Sequence, residues 1–348
     1  MKTIIKKTIF KFANTSLVSS SLKRRSEGAK VLFYHGVEKK IKNAFVQSLH
    51  IPFEDFEKQI NFLKNEYDII SLDEIHTSYN KGYNLNGKQV AITFDDGYKN
   101  NFEVVFPFLD SLDIPFSIFI STNHIETGKR FPTFMLRAGL IENKASSIEL
   151  KSTGKSYSIN SQENFAKSHR EIAKVIKTSP QELVDNIIHE IYESLPDEQW
   201  NEIYEKYQSD EPMSWEDVIA LHNSGVEIGS HCHDHFINNQ NQKLKNISDQ
   251  FTRSKELIEE KCGHCNYFCF PNGGPNDISN DAYSEGKKNY ELCFSTIPGE
   301  LNSQSDKSYL PRYGAVSDFE HFKFNMTTSF LRNRIYSKNY ENFIATRS

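Results

Sequence analysis

The sequence predicts an α/β fold built on a parallel sheet that is closed or nearly closed. Three observations carry that expectation. Short apolar runs alternate with segments of helical periodicity along most of the chain, which is the pattern of repeated β-α units. Two clusters of chemically capable side chains, Asp95-Asp96 and His231 to His235, both follow apolar runs, and sites in parallel barrels collect at the carboxyl ends of strands. A length of 348 residues suits one barrel with insertions.

The elements follow in order. Val31 to Tyr34 reads as a buried strand, and Phe53, Phe56, Ile60 and Leu63 mark one face of the helix after it. Ile69-Ile70 is a short strand leading into a helix begun at Ser71. Val90 to Phe94 is a buried strand ending at Gly97, followed by a helix with Phe102, Val105, Phe106 and Leu109 inward. Further strands are expected at Phe116 to Ile120, Val226 to Ile228, Tyr267 to Phe270 and Leu292 to Ser295. A helix with Ile247, Phe251, Leu257 and Ile258 precedes the third of these, and Gly263 reads as its stop.

One stretch, about 128–212, breaks the rhythm. Ile148-Glu149-Leu150 and Lys155 to Ile159 predict a β-hairpin, and Ile172, Val175, Leu183, Ile187, Ile188 and Ile191 predict helices. It is read as an insertion between the strand ending at Ile120 and a helix at Trp215 to Leu221. An insertion of this length with its own elements serves as a lid, a substrate wall or an oligomer contact, or is an inert elaboration.

The chemistry centres on Thr93-Phe94-Asp95-Asp96-Gly97 and Ser230-His231-Cys232-His233-Asp234-His235. Adjacent aspartates at a strand mouth repel unless a cation or shared proton relieves them. One carboxylate with two imidazoles suits zinc or a similar divalent metal, and three protein ligands leave a position open for water. The alternative is a strand-to-turn junction in which Asp95 caps a helix and the histidines are surface residues; it accounts for either segment alone better than for both.

The TFDDG segment followed by HxxxH resembles the polysaccharide deacetylases of the NodB-homology type, carbohydrate esterase family 4. Val31-Leu32-Phe33-Tyr34-His35-Gly36-Val37, Ile70-Ser71-Leu72-Asp73-Glu74-Ile75, Phe270-Pro271-Asn272-Gly273 and Leu310-Pro311-Arg312-Tyr313 fit the same family, in the order of one branch. The resemblance spans residues 30 to 316 with one large interruption, and implies a distorted (β/α) barrel of about seven strands. It implies that Asp96, His231 and His235 hold one divalent metal, zinc first, with Co, Ni, Mn or Fe as alternatives. By the same correspondence Asp95 is the general base that takes a proton from metal-activated water. The oxyanion is held by the metal and by a backbone N–H in Pro271-Asn272-Gly273.

Three departures from the family pattern stand out. No arginine precedes the proline of Phe268-Cys269-Phe270-Pro271-Asn272-Gly273. This variant form belongs to the branch whose acid histidine has moved to the N-terminal strand, so His35 is assigned as the general acid and Arg312 as the cation orienting Asp95. A plain strand-end histidine is the other reading of His35. Cys232 stands where a hydroxyl is usual after the first ligand histidine. His233 is expected to point away from the ion, and Asp234 to orient a ligand imidazole.

The implied reaction is hydrolysis of the N-acetyl group of an amino-sugar glycan, with an N-acetylated carbohydrate as partner. O-acetyl ester hydrolysis on a glycan and a catalytically degenerate carbohydrate-binding protein remain as alternatives. A two-metal phosphoesterase would show further carboxylates to bridge a second ion. Formal charge is −5, from 41 basic and 46 acidic residues, and supplies no basic field for nucleic acid. Five cysteines, with Cys262 and Cys265 lacking a second pair at a workable distance, suit a reducing compartment. Residues 1–25 are set apart as a leader, and 26–348 as the catalytic domain. Ile5, Ile9 and Phe12 share a helical face, giving either peripheral membrane contact through residues 1–20 or a locally packed helix. The expected location is the cytoplasm or the cytoplasmic membrane face, with export left open.

Overall fold

A computed structural model describes Phe10, Asn14 and residues 25–345. The rest of the leader, including Ile5, Ile9 and Phe12, lies outside the described residues. Phe10 stacks on His321 at 4.8 Å between ring centroids, and the Asn14 amide donates to Glu320 at 2.8 Å.

Seven strands form one parallel sheet: β1 (Lys30–Tyr34), β5 (Gln89–Phe94), β6 (Ser117–Ile120), β9 (Glu227–Ser230), β10 (Tyr267–Cys269), β11 (Leu292–Phe294) and β12 (Tyr313–Gly314). Their order is β11-β10-β9-β6-β5-β1-β12, and the short β4 (Asp68–Ile69) pairs with β5. The strands are buried along nearly their whole length, which explains why they read as continuous apolar runs rather than alternating ones. The edges meet through one parallel bridge between Phe294 and Leu310, where the Leu310 amide donates to the Cys293 carbonyl and the Ser295 amide to the Leu310 carbonyl, both at 2.8 Å. The barrel is thus distorted and barely closed at this seam, as the sequence predicts.

The helices wrap the outside. Phe53–Glu66 buries Phe56, Ile60 and Leu63. Leu72–Lys81 begins with Ser71, whose side chain accepts from the Glu74 amide while Glu74 answers the Ser71 amide, a reciprocal cap. Leu244–Cys262 ends at Gly263, whose φ of +81° is a left-handed conformation that favours glycine. A parallel pair unforeseen in the sequence, β2 (Gly36–Glu38) with β3 (His50–Pro52), extends the chain beyond β1. Among the described residues no helix is long and apolar enough to cross a membrane.

The interruption folds as expected. β7 (Ser147–Leu150) and β8 (Lys155–Ser158) form an antiparallel hairpin, and helices Pro132–Ile141, Gln162–Thr178, Gln181–Glu193 and Asp197–Lys206 pack with it. They share a separate core that includes Ile148, Leu150, Tyr157, Ile172, Ile187, Ile191 and Trp200. Gly139 permits that packing, because a Cβ there would lie 2.4 Å from Ile191. The chain leaves the barrel after Gly128 and returns at Pro212, which bridges back to Tyr98 beside the β5 terminus.

Candidate functional site

The β5 and β9 termini face each other across β6, and hydrogen bonds carry the ladders past the last strand residues. The Asp95 amide donates to the Tyr34 carbonyl at 2.9 Å, and the His231 amide to the Ile120 carbonyl at 2.8 Å. Beyond those points the backbone turns sharply. Asp96, Cys232 and His235 take φ values of +75°, +65° and +50°, a region costly for residues with a Cβ. The sequence reading required a helical turn after Gly229 to bring His231 and His235 to one ion. The chain instead uses an irregular loop with two left-handed residues, and the same convergence results. The helix Thr122–Thr127 pins this loop: its Thr122 and Asn123 amides donate to the Cys232 and His233 carbonyls at 3.3 and 2.8 Å.

Asp96, His231 and His235 present ligand atoms that all lie within 4.8 Å of one another. The Nε2 atoms of His231 and His235 stand 3.4 and 3.3 Å from the Asp96 Oδ1 oxygen. That oxygen is buried and has no hydrogen-bond partner among the described residues. The His231 Nδ1–H donates to the Cys269 carbonyl at 2.7 Å, which leaves the Nε2 lone pair free to ligate. An orphaned carboxylate oxygen with two imidazoles around it is a donor set that fits one divalent cation. Burial pushes the Asp96 carboxyl up, but the nearby His235 and His231 imidazoles outweigh it and hold the group well below its usual value.

Asp95 is organised differently. Both its oxygens are taken by Arg312, whose Nη1 and Nη2 donate to Oδ1 and Oδ2 at 2.8 and 2.7 Å. Arg312 is completely buried; it also donates from Nε to the Ser295 carbonyl and from Nη1 to Thr93 Oγ1, both at 3.1 Å, and lies over the Phe33 ring at 4.5 Å. Burial raises the Asp95 carboxyl, yet Arg312 first, with His231 and His35, brings it below its ordinary range, so it is ionised at neutral pH.

His35 follows β1 and lines the same cleft, its carbonyl accepting from Asn101 at 2.8 Å. Burial lowers its pKa from the ordinary histidine value, while the Asp96 and Asp95 carboxylates work in the opposite direction. Asn272, with φ of +62°, and Thr296 also reach the cleft; Thr296 Oγ1 donates to the Asn272 carbonyl at 2.6 Å. The neighbouring Pro271 and Gly273 are buried, and the Gly273 amide donates to the Pro271 carbonyl at 2.8 Å. The cavity has a volume of about 450 Å³, and its second wall is the insertion, through Pro132, Leu136, Arg137, His169, Lys177 and Val184 among others.

His233 points away, as expected, with Nδ1 2.8 Å from Thr122 Oγ1. Asp234 does not orient a ligand imidazole: its carboxylate accepts from Asn123 and from Gln250, both at 2.6 Å, because the left-handed turn at Cys232 directs it outward. The Cys269 carbonyl serves His231 in its place. Cys232 is buried, and its sulfur accepts from the Asn238 amide at 3.4 Å, so the loop keeps a polar contact where a hydroxyl is usual. Three residues escape the sequence reading. Cys269 lies against Arg312 and Asp95, at 2.6 and 3.7 Å from its sulfur, on the strand where the arginine is missing. Tyr98 is buried next to Asp96; burial, followed by Asp96 and Asp210, raises its pKa well above 10 and keeps the hydroxyl protonated. Arg137 belongs to the insertion, which no motif marks.

A distorted parallel barrel with a buried aspartate, two imidazoles and a second, arginine-bound aspartate at its mouth defines a candidate metal centre with an ionised carboxylate beside it. Comparison with known proteins extends this. The polysaccharide deacetylase family model matches residues 82–184 and 196–290, more than half of the sequence, and the chain belongs to that family. No protein of curated function gives a match. The structure of IcaB from Ammonifex degensii is similar with a TM-score of 0.55 at 17% identity, covering 87% of this chain and 97% of that one. The Streptococcus pyogenes deacetylase PplD, solved in complex with acetate, gives a TM-score of 0.53 at 13% identity, covering 84% and 94%. At these identities the likeness establishes the fold: a half-barrel of seven parallel strands.

Proposed function

We propose that this protein, through residues 26–348 acting as one catalytic unit, removes the acetyl group from an N-acetylated amino-sugar glycan. The observation that carries the reading is the unsatisfied Asp96 oxygen between two imidazoles, in one cleft with an ionised, arginine-bound Asp95 and with His35. A divalent ion held by Asp96, His231 and His235, with zinc as first choice, would polarise the acetyl carbonyl and make a water acidic enough to lose a proton near neutral pH. Asp95 receives that proton on a carboxylate oxygen. Arg312 fixes the plane of the carboxylate and keeps it ionised until then. The amide of Asn272, which meets no acceptor among the described residues, is the donor assigned to the developing oxyanion, on a loop that Thr296 holds. His35 gives a proton to the departing amine nitrogen; burial lowers its pKa, and the Asp96 and Asp95 carboxylates offset part of that effect.

The test is acetate release from N-acetylglucosamine oligomers by metal-reconstituted protein, run beside O-acetylated glycans. Acetate from the amide substrates supports the reading. Release from the esters alone would replace it with an O-acetyl esterase, and release from neither would leave a binding protein.

A further inference from the structure

The cleft wall supplied by the insertion carries charge of one sign. Arg137, from helix Pro132–Ile141, and Lys177, at the end of helix Gln162–Thr178, both line the cavity that contains Asp96, His231 and His235. The carboxylates on that lining are Asp95 and Asp96 alone. The first is saturated by Arg312 and the second belongs to the candidate metal centre. Arg137 is half-buried, and among the described residues its guanidinium makes no hydrogen bond or ion pair. Asp210 and Asp96 attract it through space, yet neither comes within ion-pair distance, and a guanidinium withdrawn from water without a bonded anion is costly. His169 lines the same wall; burial first, then Arg137, Arg170 and Lys177, lower its pKa to about 4, so it adds no charge of its own at neutral pH. In a chain of net charge −5 this wall of the cleft is therefore locally positive, which attracts anions.

The geometry points to an anion-reading subsite on the insertion: the N-acetylated sugar is accompanied in the substrate by a carboxylate or phosphate group that Arg137 binds and Lys177 helps to draw in. The planar fork of an arginine matches either oxyanion with two parallel hydrogen bonds, whereas the rim lysine acts as a point charge. This inference rests on the deacetylase reading and narrows its substrate class to acidic glycans.

The experiment compares kcat/KM of the metal-loaded protein on three probes. One is a neutral N-acetylglucosamine tetramer, the second a tetrasaccharide alternating N-acetylglucosamine with glucuronate, and the third N-acetylglucosamine units joined by a phosphodiester. Wild type should prefer at least one anionic probe, and whichever it prefers identifies the anion. Arg137→Gln should lower the anionic-over-neutral ratio by about tenfold or more, the scale of a charge-assisted hydrogen bond. Lys177→Gln should lower it by about twofold to fivefold, as an exposed charge does. The KM for the anionic probe should rise with salt in wild type and rise less steeply in Arg137→Gln. A wild-type preference for the neutral tetramer, or a ratio unchanged in both variants, overturns the inference. If no probe loses acetate the deacetylase reading fails by itself, and equilibrium binding of the same probes decides this point: tighter anionic binding that Arg137→Gln weakens supports it, and equal binding overturns it. Should Arg137→Gln fail to fold, the Lys177→Gln ratio and the salt dependence of wild type decide between the two outcomes.

Discussion

Replacing Arg312 with methionine keeps most of the side-chain length and removes the charge, which leaves the Asp95 carboxylate buried without its partner. In the native protein both carboxylate oxygens are bonded, at 2.8 and 2.7 Å, and the guanidinium is fully buried. Breaking such a pair from one side costs about 3–5 kcal/mol, because the remaining charge stays desolvated. Arg312→Met should therefore lose about that much in urea unfolding at pH 7. The double variant Arg312→Met/Asp95→Asn, which removes both charges, should recover roughly 2 kcal/mol or more of it. The pH dependence follows with its sign. The folded-state pKa of Asp95 lies below 3.8, so its contribution to stability is present above that value and is lost as pH falls through the folded pKa. Without Arg312 the opposing effect of burial is less restrained, the carboxyl binds its proton at higher pH, and the acid limb of kcat/KM moves upward. A loss under about 1 kcal/mol, or a double variant no more stable than the single one, would contradict the assignment of Arg312 as the partner that holds Asp95 ionised.

Alanine at Asp96, His231 or His235 should each abolish the bound equivalent of metal measured by equilibrium dialysis; a full equivalent kept by all three variants rules out the triad. Asp95→Asn should retain the metal and lose on the order of a hundredfold or more in turnover, since an amide cannot accept the proton, and near-normal acetate release would mean that another group is the base. His35→Ala should keep the metal and lose more activity on an amide than on an ester, whose alkoxide leaves with less help; equal losses on both would place the proton donor elsewhere.

Much of the barrel was legible because its strands are buried on both faces and therefore spell unbroken apolar runs, and because helix ends carry local signals such as the Ser71 cap and the Gly263 stop. The candidate metal-ligand cluster was legible because its residue types are rare together and sit at strand ends. The path that brings His231 to His235 was not, since it depends on left-handed turns at Cys232 and His235 that neither residue type announces. For the same reason Asp234 was assigned a partner it does not have. The β2–β3 pair is too short to leave a periodic trace. Arg137 could not be recognised because its meaning comes from the docking of the insertion onto the cleft, a long-range contact with no sequence signature. That docking also separates the roles within the insertion: Ile148, Leu150 and Tyr157 of the hairpin stabilise its core, while the helices face the cavity.

The seam between β11 and β12 has a bearing on how Asp95 is held. Arg312 follows Leu310, the residue that closes the barrel, and its amide donates to the Ile297 carbonyl at 3.0 Å just beyond that bridge. The guanidinium then crosses the interior to Asp95 just past the end of β5, over two hundred residues earlier in the chain. Asp96, His231 and His235 stand at the ends of the β5 and β9 strands, away from this seam, whereas the partner of Asp95 comes from the seam itself. Closing the barrel and orienting the Asp95 carboxylate are thus a single event at one seam.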